Sequence, residues 1–127
     1  RQRNDYILAA SRMAQALLAE TVVHAAGHTL LLPGSEGFAA TDREDGPVVN
    51  PSYWIYEAIP VMAALAPSDA WQKLSEDSLT LLKTMQFGPR KLPAEWVSLS
   101  GQPQPAQGFD AEFAYNAIRI PLYLARG

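Results

Sequence analysis

The sequence predicts an all-α chain. Apolar residues recur at helical spacing in several separate stretches, and Pro and Gly punctuate the ends of those stretches. Apolar–polar alternation is confined to one short piece around Trp96. The 127 residues suit one small domain. A hydrophobic share of 48% is enough for a packed core and excludes a disordered tail. Charged residues make up only 18%, the net charge is −3, and no basic run occurs. That argues against nucleic acid as a partner, since phosphate binding needs clustered Lys and Arg. It argues equally against anionic lipid, and the apolar runs fall far short of the roughly 18 residues of a membrane span. With no cysteine, disulfides and thiolate metal sites are excluded.

The first helix is expected over 5–26. Asn4 is placed to cap it, and Asp5 sits at the positive end of its dipole. Ile7, Ala10, Ala14, Leu17, Leu18 and Val22 form its apolar stripe, and Gly27 its stop. Thr29 to Leu32 reads as a short strand-like connector, Pro33 to Gly37 as a turn, and 38–49 as an exposed, charged loop. A second helix is expected over 52–65, with Pro51 at its start and a kink or break near Glu57 caused by Pro60. Pro67-Ser68-Asp69 ends it and caps a third over 69–86, whose apolar positions include Trp71, Leu74, Leu79, Leu82 and Met85. The stretch 89–109 is loop-like apart from an extended piece at 96–99. The last helix is expected over 112–126. Connections this long are uncommon in compact domains and are usually functional. The chain starts without Met and stops inside an apolar-periodic stretch, which reads as a piece of something longer.

Four motifs occur in order: Leu30-Leu31-Leu32-Pro33-Gly34 with Gly37-Phe38, then Asn50-Pro51-Ser52-Tyr53, then Leu92-Pro93 with Trp96-Val97, then Tyr115-Asn116-Ala117-Ile118-Arg119-Ile120-Pro121-Leu122-Tyr123. In this order and spacing they resemble glycoside hydrolase family 8, in particular the bacterial cellulases associated with cellulose synthesis. The resemblance covers nearly the whole chain. It implies the C-terminal part of an (α/α)6 barrel with a cleft across one end, hydrolysis of β-1,4-glucan with inversion, action in the periplasm or outside the cell, and no cofactor or metal. Inversion needs a carboxylic acid on the leaving oxygen and a carboxylate base on a water, roughly 6.5–9.5 Å apart.

The chain departs from the family pattern twice. It lacks the Ser-Glu-Gly-Gln-Ser-Tyr type segment that carries the acid, and the base position holds Asn116. An amide accepts no proton at a useful pH, although it keeps the shape and can hold a water. Asn116 is open to three explanations: an engineered Asp→Asn, a natural Asn with the base recruited from another loop, or a non-hydrolytic relative. The other matched residues carry roles by resemblance. Tyr53 would orient the attacking water. Arg119, one turn after Asn116, would orient the base and bond sugar. Tyr115 would line the cleft, and Asn50 joins the substrate-binding set. Trp54 and Trp96 are candidate stacking platforms for a pyranose face, with core packing the equal alternative for Trp96. A portion of a barrel would expose helix faces meant for its neighbours, so a second polypeptide carrying the N-terminal half is expected as a partner.

Other features read more plainly. Ser35-Glu36-Gly37 mimics the start of the acid motif, but Phe38 follows, and Glu36 reads as a turn residue. His24 and His28 have metal-ligand spacing but flank a glycine and lack a third ligand. Asp42 to Gly46 lacks the alternating oxygens and distal Glu of a calcium loop. Asp110 and Glu112 could substitute for a missing base, but read first as helix N-terminal acids. The rival to an endo-β-1,4-glucanase is a non-catalytic helical module that binds a glucan or a protein.

Overall fold

A computed structural model of the chain describes residues 1–109 and 117–126. Among the described residues four helices dominate, α1 (Gln2–Glu20), α2 (Ile59–Leu65), α3 (Asp69–Leu82) and α4 (Arg119–Arg126). Two small antiparallel sheets accompany them, so the all-α expectation holds only in part. One sheet is the hairpin of β1 (Val22–Ala25) and β2 (His28–Leu31). The other has the order β3 (Val48–Val49), β4 (Val97–Ser98), β5 (Gln104–Pro105).

Helix α1 ends six residues before the expected 26. The Thr21 hydroxyl and amide both donate to the Leu17 carbonyl, at 2.7 and 3.0 Å. The chain then turns into β1. Ala26 and Gly27 both have positive φ, 54° and 75°, which is the two-residue turn whose twist matches a hairpin. Gly27 is therefore the hairpin glycine and not a helix stop. His24 and His28 belong to its paired strands, and the His24 ring lies 3.1 Å from the Thr29 hydroxyl. Among the described residues no group of three potential metal ligands forms.

The stretch expected as one helix over 52–65 is broken near Glu57, not kinked. Residues 51–58 form two 3₁₀ turns, Pro51–Tyr53 and Tyr56–Ala58, separated by extended backbone at Trp54 and Ile55. Helix α2 starts only at Ile59, so Pro60 lies in its first turn, where a missing N–H costs nothing. Ser68 caps α3 by accepting from the Ala70 amide, as its place after Pro67 predicts. Pro121 likewise falls in the first turn of α4. Helix α3 stops at Leu82, four residues early, and Met85 beyond it is fully buried.

The loop expected to be exposed at 38–49 is buried from Asp45 onwards. Gly46 explains part of this. A Cβ there would sit 2.4 Å from the Ala39 carbonyl oxygen, so only glycine lets the two backbone segments approach.

Two apolar clusters hold these elements together. The larger gathers Leu30, Val49, Trp54, Leu81, Met85 and Val97, and so joins the hairpin, α3 and the second sheet. The smaller places Ala14 of α1 against Ala66, Trp71 and Leu74. Ile7, at the start of the α1 stripe, is 49% exposed, and Tyr6 and Met13 elsewhere on the helix are 73% and 70% exposed. Ile118 and Leu122, at and within α4, are also exposed. Among the described residues no helix is long and apolar enough to cross a membrane.

Candidate active site

The Asn-Pro-Ser-Tyr turn is built by its own first residue. The Asn50 Oδ1 accepts from the Ser52 amide at 3.0 Å and from the Ser52 hydroxyl. Pro51 supplies the fixed φ of the first 3₁₀ position. Asn50 is itself buried and braces the turn through its Oδ1, while its Nδ2 amide has no hydrogen-bond partner among the described residues. The turn leaves its two successive aromatics unequally covered. Tyr53 is 42% exposed. Trp54 is 3% exposed, lies in the larger cluster, and donates its indole N–H to the Leu31 carbonyl at 3.3 Å. Trp54 therefore cannot offer a face to a sugar. Beneath Tyr53 and Trp54 lies an apolar cavity of about 280 Å³, bounded also by Ile59, Met62, Trp71 and Leu74.

Trp96 is half-buried and stands at the centre of an aromatic column. Phe38 covers one face at 5.8 Å and 10°, and Phe109 covers the other at 4.4 Å and 14°. Tyr53 meets it edge-on at 6.1 Å and 84°. With both faces occupied, Trp96 is not a stacking platform. It is the partner that flanks Tyr53.

The column is fastened by charge. The Arg43 guanidinium lies 5.3 Å from the Phe109 ring centre. It also forks onto Asp45, with Nε at 2.7 Å and the terminal nitrogen at 3.2 Å, and donates to the Gln107 carbonyl at 2.7 Å. Asp45 in turn accepts from the Gln107 amide at 2.8 Å. Arg43 and Asp45 lie in the segment 38–49 expected to be an exposed, charged loop. Asp45 is buried, while Arg43 keeps a quarter of its side chain exposed, so the pair lies just beneath the surface.

The Arg43 fork holds the Asp45 carboxyl below the usual carboxylate range, with the Gln107 amide adding to the effect and burial opposing it. The sign follows from linkage. A depressed folded value gives stability that is complete above the ordinary range, about pH 4, and is lost as pH falls through the lower folded value. The stability gap between the wild-type chain and an Asp45→Asn variant should thus be constant from pH 7 to 5 and shrink below pH 4. Urea midpoints read by circular dichroism measure this; a gap that widens in acid would contradict it. Burial pushes the Tyr56 hydroxyl up, with Ser78 opposing the shift.

Helix α4 packs against both 3₁₀ turns, and Arg126 reaches Glu57 at 3.0 Å. Arg119, half-buried, opens this helix. Just upstream, the Ala117 amide lies 3.4 Å from the Glu95 carboxylate, next to Trp96 in sequence. The structure thus brings the turn of Tyr53, the column of Trp96 and the helix of Arg119 to one side of the chain. Tyr115, Asn116, Asp110 and Glu112 lie outside the described residues. Glu36 is exposed in its turn. Sequence reasoning missed Arg43, Asp45 and Phe109. Their only local signal is the spacing of two opposite charges two residues apart beside a Gly-Pro pair.

The family model described as glycosyl hydrolases family 8 matches residues 1–126. The chain belongs to glycosyl hydrolase family 8. An endoglucanase of Cellulomonas uda is 37% identical over 126 residues, which are 98% of this chain and 34% of that protein. Among solved structures, the endo-β-1,4-glucanase CMCax from Acetobacter xylinum superposes with a TM-score of 0.87 at 30% identity, covering 97% of this chain and 39% of that one. A family 8 endo-β-1,4-glucanase from an Achatina fulica gut metagenomic library has a TM-score of 0.80 at 41% identity, covering 89% of this chain and 36% of that one. The family 8 chain therefore spans a little over a third of the length of its relatives.

Proposed function

We propose that this family 8 chain forms the C-terminal part of an (α/α)6 barrel and the base side of the cleft of an inverting endo-β-1,4-glucanase. The observation that carries the reading is the gathering of Tyr53, Trp96 and the Arg119 helix on one side of a chain whose relatives are named endoglucanases. In this reading the exposed Tyr53 hydroxyl orients the attacking water. Arg119 bonds substrate and aligns the group at position 116. Tyr115 lines the cleft. The general acid comes from the N-terminal part of the barrel, carried by a second polypeptide, and the exposed faces of α1 and α4 are the seams that meet it. The assembled protein acts in the periplasm or outside the cell.

A fusion tests this. The matching third of the Cellulomonas uda endoglucanase is replaced by this chain, and products from carboxymethyl cellulose and cellohexaose are followed by proton NMR. Release of the inverted, α-anomeric product supports the hydrolase. A folded fusion that binds cellohexaose without turnover, both with Asn116 and as Asn116→Asp, supports the second reading, a non-catalytic glucan-binding module, which the amide at position 116 favours.

A further inference from the structure

We infer that Arg43 and Asp45 are positioning residues for Tyr53, acting through the stacked rings of Phe109 and Trp96. This rests on the reading that Tyr53 works at the cleft. The route runs from the inside outwards. Asp45 is 6% exposed, and its two oxygens bond the Arg43 fork and the Gln107 amide. Arg43 takes the carbonyl of the same residue, so both polar groups of Gln107 are gripped by one ion pair. Gly108 then adopts φ +82°, a left-handed turn that returns Phe109 beneath the guanidinium. Phe109 and Trp96 lie nearly parallel at 4.4 Å. At the far end a second carboxylate acts alike: Asp42 accepts from the amides of Gly37 and Ala39, the two neighbours of Phe38.

Trp96 is thus clamped between rings whose backbones are each pinned by a buried or chelating carboxylate. Its plane is set, and the edge-on contact passes that setting to Tyr53. The need for such a device follows from exposure. A tyrosine 42% exposed at the end of a 3₁₀ turn has little packing of its own to fix χ1 and χ2. Residues that hold a group within about half an ångström of its working position act through their own locked neighbours. The cation on Phe109 adds directional attraction that an apolar neighbour would lack.

Fluorine NMR tests the inference on the chain as it exists, with 5-fluorotryptophan in one sample and 3-fluorotyrosine in another. Trp96→Phe and Tyr53→Phe assign the signals. Arg43→Lys keeps a charge beside Asp45 but cannot fork onto both partners or lie flat on a ring. It should shift and broaden the Trp96 and Tyr53 signals and leave Trp54 and Trp71 in place. An unmoved Tyr53 signal overturns the inference. If Arg43→Lys displaces all three tryptophan signals, the decision passes to Phe109→Leu, which cuts the stack but leaves the ion pair; Tyr53 must then move with Trp96 alone. In the active fusion, Arg43→Lys should lower kcat roughly ten- to a hundredfold, with KM changing less than threefold. The loss should vanish in a Tyr53→Phe background; an equal loss there would show a merely structural role. Inactivity of the fusion in both its Asn116 and its Asn116→Asp form counts against the glucanase reading only, since the fluorine signals still decide the clamp.

Discussion

Asn116→Asp should raise hydrolysis of carboxymethyl cellulose by the fusion about 10²- to 10⁴-fold, the usual contribution of a positioned general base. An inverting enzyme activates its water in the same step in which the glycosidic bond breaks, so no covalent intermediate can substitute for a weak base. An amide leaves the water held but not deprotonated. Restoring the carboxylate changes one atom, and the volume of the side chain is nearly unchanged, so the gain reads chemistry and not packing. The rise should appear in kcat with little change in KM, because cellohexaose binding does not need the proton transfer. It should also carry a new acidic limb in the pH–rate profile as the base protonates. Equal rates for the Asn and Asp forms would mean that the base comes from elsewhere, with Asp110 and Glu112 the first candidates to substitute. No activity in either form, with cellohexaose still bound, would leave the binding module as the reading of choice.

The parts of this chain that were legible in the sequence are those set by local rules. Ser68 after Pro67 announces α3, and Pro60 marks the break expected near Glu57, which falls at the start of α2. The hairpin was hidden because Val22 extends the apolar stripe of α1, and Ala26-Gly27 reads equally as a helix stop and as a hairpin turn. Only pairing with His28–Leu31 decides between them. Trp54 and Trp96 could not be told from cleft platforms, since composition does not say which faces are covered. The clamp at Gln107 was the least legible feature. Arg43 reaches across 64 positions to make it, and no periodicity carries information over that distance.

Neighbouring aromatics of the same turn should separate stability from function. Trp54→Ala should lower the unfolding free energy by about 3–5 kcal/mol, as removal of a buried large aromatic does. That is a large part of the roughly 5–15 kcal/mol that a domain commonly has. Trp54 is 3% exposed and touches the hairpin, α3 and the second sheet through one cluster, so its loss unties three elements at once. The cavity already present beneath it would merge with the new void, leaving fewer atoms able to relax inwards. Tyr53→Ala removes a ring of similar size whose surface is 42% open, and its expected cost is below about 1 kcal/mol. Urea unfolding followed by far-ultraviolet circular dichroism, which does not depend on the missing indole, measures both. A Trp54→Ala midpoint within error of wild type would mean that the larger cluster does not hold the fold. A Tyr53→Ala loss as large as that of Trp54→Ala would mean that Tyr53 is a packing residue, and the water-orienting role would fall with it. Tyr53 and Trp54 are adjacent residues of one Asn50-capped turn, the first open and the second buried, and the two variants measure that contrast.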